Sequence, residues 1–210
     1  MNPVPYRRLQ HAGVALCLVL ALGACSGLAL RPAPMAVYDL GITSGQSLPP
    51  ELAPAQLILS AAPWLSPTAM QYRLSWLDPD RRRTYAESRW VSAPADMLGL
   101  ALDRGLMVGA GGQPCRLRVE LDEFVQVFDS STQSHVEVIV RVALLPARSQ
   151  LPVARAEFRI EEAAPSADAA GGVSAHRSAA GRLVHEISTW LVALDRASTP
   201  GLNTAGRCGV

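Results

Sequence analysis

The chain has 210 residues, 49% of them apolar and 18% charged, with a formal net charge of +1. That is enough chain and enough apolar side chain for one domain with a sizeable core. All 19 basic residues are arginine, set against 18 acids, so no basic face is declared and neither nucleic-acid binding nor polybasic membrane docking is indicated.

Arg7 and Arg8 form a positive start, residues 12–22 are a short uncharged apolar run, and Leu22-Gly23-Ala24-Cys25 closes it. The run is too short to remain in a bilayer as a spanning helix. Small residues leading into a cysteine make it a lipobox, so residues 1–24 read as a lipoprotein signal peptide cleaved before Cys25. Leu9-Gln10-His11 after the arginines favours ordinary secretion over export in the folded state. Acylation of Cys25, palmitate included, gives permanent attachment, since each buried methylene contributes about 0.8 kcal/mol. Ser26, in place of an aspartate, directs a Gram-negative lipoprotein to the outer membrane, facing the periplasm. Residues 25–35, with Pro32 and Pro34, form the lipidated tether, residues 36–197 the domain, and residues 198–210 a flexible tail.

Within the domain, residues 35–40 read as a first strand and residues 41–54, rich in Gly, Ser and Pro, as a loop. Leu57-Ile58-Leu59 starts a strand that stops at Pro63. Residues 71–77 place Tyr72, Leu74 and Trp76 on one parity, and residues 85–90 return; Asp78-Pro79-Asp80 and the arginines at 81–83 are expected at a solvated hairpin tip. Pro94 suits the first turn of a helix whose Met97, Leu98, Ala101 and Leu102 share a face, ended by Gly105 and the glycines of 109–112. Those glycines trail a helix and no lysine follows them, so they form a connector and not a phosphate loop.

Leu117, Val119 and Leu121 alternate with Arg118, Glu120 and Asp122, a half-buried strand. The parity blurs at Glu123 and Phe124, where either a bulge or burial on both faces is expected. Val136, Val138, Val140, Val142 and Leu144 share the next strand face, and Ala154, Ala156, Phe158 and Ile160 the one after, which predicts an antiparallel meander. A last helix is expected from near Val173 to Leu194, with Gly171 and Gly172 outside it because each costs about 1 kcal/mol in a helix. Strands and helices in this order predict a mixed sheet covered by helices.

Cys17 leaves with the signal and Cys25 is acylated, which leaves Cys115 and Cys208. In an oxidising compartment a disulfide between them is expected; two unpaired thiols are the alternative. His176 and His185 are nine residues apart on one helix and cannot chelate a metal as an i, i+4 pair. Ser134-His135 has no visible acidic partner or oxyanion site, and no G-x-S-x-G is present. No catalytic residue, metal or cofactor is assigned, and the chain is not expected to be an enzyme.

The motifs Tyr38-Asp39-Leu40-Gly41, Ala62-Pro63-Trp64-Leu65, Met70-x-Tyr72-Arg73 and Arg89-Trp90 follow one another along the chain. Leu117-x-Val119-x-Leu121-x-Glu123-Phe124-x-Gln126-x-Phe128 and Ala170-Gly171-Gly172-Val173, with Trp190, complete the series. It resembles the ABC-type transport auxiliary lipoproteins, the paraquat-inducible protein C-like family. The resemblance implies a three-layer α/β domain with a mixed, largely antiparallel sheet and two main helices, anticodon-binding-like. It also implies an auxiliary docking role in an intermembrane lipid transport system, with a periplasmic mammalian-cell-entry-type subunit as partner and no catalytic residues to transfer. Trp64, Tyr72, Arg73 and Trp90 are the candidate partner-binding residues, because aromatics and arginine dominate binding hot spots; core packing is the alternative for the aromatics. A stand-alone envelope lipoprotein, an assembly factor or a cell-wall hydrolase, is the competing functional reading, and homo-oligomerisation stays open.

Overall fold

A computed structural model describes residues 34–41, 48–110, 113–197 and 208. Cys25, the signal peptide and most of the tether and tail lie outside the described residues. The elements are β1 (Ala36–Tyr38), β2 (Pro54–Ala61), β3 (Ala69–Leu74), β4 (Asp78–Trp90), α1 (Pro94–Gly105), β5 (Gln113–Phe128), β6 (Ser134–Leu145), β7 (Ala154–Ala163) and α2 (Ala169–Ala197). Single 3-10 turns at Pro50–Leu52 and Pro63–Leu65 interrupt the loops. Among the described residues no helix is long and apolar enough to cross a membrane.

Among the described residues seven strands form one mixed sheet in the order β1-β4-β3-β5-β6-β7, with β2 also on β5. β5 is its spine. β6 runs antiparallel along one edge of β5 and β7 pairs antiparallel with β6, the meander that the alternation predicts. The other edge of β5 carries two parallel strands end to end, β2 against residues 113–121 and β3 against residues 126–128. Their break falls beside the register shift between Leu121 and Glu123. That bulge is why the sequence parity blurs there: Phe124, Val125, Gln126 and Val127 follow it and all are buried.

The hairpin between β3 and β4 corrects one expectation. Its turn is Ser75, Trp76 and Leu77, and the arginines at 81–83 lie inside β4. Leu74 pairs with Asp78 across the turn, and both the N–H and the hydroxyl of Ser75 donate to the carbonyl of Phe128, at 3.0 and 2.8 Å. These bonds set the turn ahead of Asp78-Pro79-Asp80. Pro79 is tolerated because β1 covers only Ser88–Trp90, leaving the start of β4 at an edge.

One face of the meander carries Leu117, Val119, Leu121, Val136, Val138, Val140, Val142 and Ile160, all buried. Onto it α2 brings Val173, Ala180, Leu183, Val184, Ile187 and Leu191. Each fully buried Leu, Ile or Val is worth about 1.5–3 kcal/mol relative to exposure. α1 adds Leu98 and Leu102 and packs on α2 so closely that a Cβ on Gly105 would stand 2.5 Å from Val184 Cγ1. The two helices therefore share one face, while charged side chains occupy the other face of β5, β6 and β7.

The start of α2 is the second correction. The helix begins at Ala169 and includes Gly171 and Gly172. A Cβ on Gly171 would lie 2.0 Å from the Ser166 carbonyl oxygen, and one on Gly172 2.1 Å from Gln126 Oε1. Close approach, not chain termination, demands these glycines. Asp168 caps the helix, its Oδ1 accepting from the Gly171 N–H at 2.7 Å.

Cys115, at the start of β5, is joined to Cys208 by a disulfide with a Cα–Cα distance of 4.8 Å. Both cysteines are fully buried.

Candidate functional site

The bulge in β5 turns Glu123 under β3 and β4. Its Oε2 accepts from Arg73 Nη2 at 2.7 Å and from Arg82 Nη2 at 2.8 Å, and its Oε1 from Arg82 Nη1 at 2.8 Å. The Phe124 N–H adds a fourth bond at 3.0 Å. Arg82 Nη1 also reaches Gln71 Oε1 at 2.8 Å, and Gln71 Nε2 donates to the Trp64 carbonyl at 2.7 Å. A continuous polar chain thus runs from a carboxylate with 9% of its side chain exposed to the backbone of a tryptophan that is 53% exposed. Trp64 is an apolar surface residue on a fixed support. Arg82 belongs to this chain, so the arginine run is not merely solvated.

The four candidate partner-binding residues do not form one surface. Trp90 is a correction: it is 2% exposed, edge-on to Phe124 and His176 at 5.7 and 5.4 Å, and has no face to offer a partner. Tyr72 is half-buried against Tyr85 and Phe128, with ring centroids 4.8 and 5.6 Å away. Arg73 is spent on Glu123, and as neighbours on a strand Tyr72 and Arg73 point to opposite faces. Trp64 alone of the four presents an exposed side chain.

A second constellation escaped the sequence reading. Gln126, 1% exposed, accepts from the Tyr85 hydroxyl at 2.8 Å and donates to Ser134 Oγ at 2.8 Å and the Asp168 carbonyl at 3.1 Å. One amide thereby ties β4, β5, β6 and the start of α2. Burial, then the charge of Asp168 and the neighbouring Tyr72, push the Tyr85 phenol well above its ordinary range, so it stays a donor. The available signal was Gln126 within one motif and the paired glycines of another; the contact between them explains both.

Beside this lock His176 stacks on Phe124 with centroids 4.1 Å apart, and its Nδ1 lies 2.8 Å from the Gly172 carbonyl. That bond makes Nδ1 the donor and leaves Nε2, which has no partner among the described residues, bare. Burial pushes the imidazole down to about 4. A corner at Asp39-Leu40-Gly41 completes the region. Asp39 Oδ1 accepts from the Gly41 N–H at 2.7 Å, Gly41 takes φ +65°, and Arg177 Nε donates to the Leu40 carbonyl at 2.8 Å.

On the solvent face of the meander, Arg141 bonds Asp122 at 2.6 and 2.8 Å and Glu120 at 3.0 Å. The hydrogen bond from Arg141 holds the Asp122 carboxyl below its ordinary range. A hollow of about 530 Å³ lies here, lined by Arg118, Glu120, Arg141, Arg155 and Glu157 among others. Its charges are of both signs and largely paired. Ser134 and His135 do not cooperate, because Ser134 faces the core and bonds Gln126 while His135 pairs with Asp129 at 2.9 Å. Among the described residues no group of three His, Cys, Asp or Glu is placed to hold a metal ion.

A model of the ABC-type transport auxiliary lipoprotein component family matches residues 49–188, a range that holds the Glu123 clasp, the Gln126 lock and most of α2. No curated protein matches the chain. The crystal structure of a Xanthomonas campestris protein superposes with a TM-score of 0.64 at 19% identity, covering 78% of this chain and 99% of its own. A second crystal structure, of an uncharacterized protein, gives a TM-score of 0.57 at 14% identity, covering 75% of this chain and 99% of its own. At such identities these likenesses show the fold alone.

Proposed function

This chain belongs to the family of ABC-type transport auxiliary lipoprotein components, and from that premise we propose that it is a non-catalytic docking subunit of an intermembrane lipid transporter. Anchored in the outer membrane through acylated Cys25, the domain faces the periplasm and binds a mammalian-cell-entry-type subunit. The observation that carries this reading is the family match across two thirds of the chain. The chemistry of the site supports it, because the polar groups brought together are consumed by one another: Glu123 by two arginines, Gln126 by Tyr85, Ser134 and Asp168. Such networks rigidify a scaffold. Trp64, exposed on that support, is the residue assigned to the partner.

Reconstitution tests the reading. The acylated full-length chain in vesicles retains a purified mammalian-cell-entry-type subunit from the same envelope, and an unacylated Cys25→Ala chain no longer holds that subunit at the vesicle. Absence of any such association, together with hydrolysis of an envelope substrate, would make this a stand-alone enzyme instead.

A further inference from the structure

The turn at Ser75, Trp76 and Leu77 leaves two adjacent large apolar side chains in water, Trp76 at 55% and Leu77 at 59% exposure. It is not a loose loop. Ser75 is bonded through both its N–H and its hydroxyl to the Phe128 carbonyl, and the Leu77 N–H donates to the Leu74 carbonyl at 3.1 Å. A tryptophan beside an aliphatic side chain on a fixed tip suits a membrane–water interface, where an amphipathic ring has its apolar body covered and its N–H wet.

The direction of β1 says which surface is near. β1 is parallel to β4, with Ala36 beside Ser88, and β4 begins at the tip, so the N-terminal end of β1 points toward Trp76 and Leu77. Arg89, beside Val37 of β1, pairs with Ala69, and from Ala69 to Leu74 β3 extends roughly 17 Å at about 3.4 Å per residue. Cys25 is separated from Ala36 by residues 26–35, a stretch that spans at most ~35 Å. The acylated end can therefore reach the level of the tip.

We propose that Trp76 and Leu77 are a second contact with the lipid surface that holds the anchor. This rests on the acylation of Cys25 assigned above. Asp78 and Asp80 follow the tip and Arg81 comes after them, so the surface recognised is a neutral, zwitterionic phospholipid interface rather than a strongly anionic one. Trp64 stands back from it, because its carbonyl is held by the side chain of Gln71, four residues before Ser75 and so roughly 14 Å from the tip along β3. The contact would leave Trp64 outside the lipid, free for a partner.

The test uses the acylated full-length chain in phosphatidylcholine vesicles whose upper acyl carbons carry bromine, a contact quencher of tryptophan. The emission of Trp76 is the difference between wild type and Trp76→Phe, and that of Trp64 the difference between wild type and Trp64→Phe. The expected result is several-fold stronger quenching of Trp76 than of Trp64. Equal quenching of the two in protein that floats with the vesicles overturns the tip contact and leaves the lipoprotein reading standing. A chain that mass spectrometry shows without acyl groups on Cys25, and that does not float, overturns both.

Discussion

His176 and Glu123 show how a single side chain is priced by its surroundings. Folded His176 stays neutral to about pH 4, whereas in the unfolded chain it takes a proton near pH 6.5. The unfolded state then binds more protons between those values, so stability is complete above pH 6.5, falls as pH drops toward 4, and levels off below. The gap corresponds to about 3 kcal/mol. Urea unfolding at pH 7 and pH 4.5 reads the loss, which His176→Leu should flatten. Asp122 and Asp168, both held below the ordinary carboxylate range by hydrogen bonds, lose their contribution only at lower pH. Glu123→Gln leaves two guanidiniums facing a neutral amide. Breaking a fully buried pair costs about 3–5 kcal/mol, and with the arginine side chains 22–27% exposed a loss of about 2 kcal/mol is expected, measured by the same unfolding at pH 7. The sequence shows the irregularity at Glu123 but not its partners, because Arg73 and Arg82 lie 50 and 41 residues away. For Trp90 no pattern separates a core indole from a docking one; only the packing of Phe124 and His176 around it does.

Among the elements, α2 departs most from propensity. A helix scale charges Gly171 and Gly172 about 1 kcal/mol each, and on that scale Gly172→Ala should stabilise. The 2.1 Å approach to Gln126 Oε1 reverses the sign. Overpacking typically costs about 1–3 kcal/mol, so Gly172→Ala is expected to lower stability by about 1–2 kcal/mol and to loosen the Tyr85–Gln126 bond. Thermal unfolding measures the first, and hydrogen exchange at the start of α2 the second. Gly181, beside which a Cβ would meet nothing within 4 Å, is the matched control, where Ala should stabilise. The disulfide closes a loop with a sequence separation of 93, worth on the order of 4 to 5 kcal/mol in the chain-entropy model. Reduction should lower the unfolding midpoint accordingly, and Cys208→Ser should reproduce the shift.

For the whole molecule, the meander of β5, β6 and β7 was legible because each strand is half-buried and its neighbours follow directly in the chain. The placement of β2 and β3 end to end on β5 was not. Parallel pairing joins segments about 50–60 residues apart and leaves no local pattern beyond short apolar runs. The same limit applies to the site, where composition offered aromatics and arginines but only the fold separates Trp64, exposed on a polar support, from Trp90, sealed in the core. In the function proposed above, the scaffold docks a transporter subunit through Trp64. Titration of a purified mammalian-cell-entry-type subunit against the acylated wild-type chain and against Trp64→Ala, with circular dichroism confirming the fold of each, measures that contact. Truncation of a hot-spot tryptophan costs about 2 kcal/mol or more, so the prediction is saturable binding that weakens about 30-fold or more in Trp64→Ala. Equal affinity of the two folded proteins, or no binding by wild type, would contradict it.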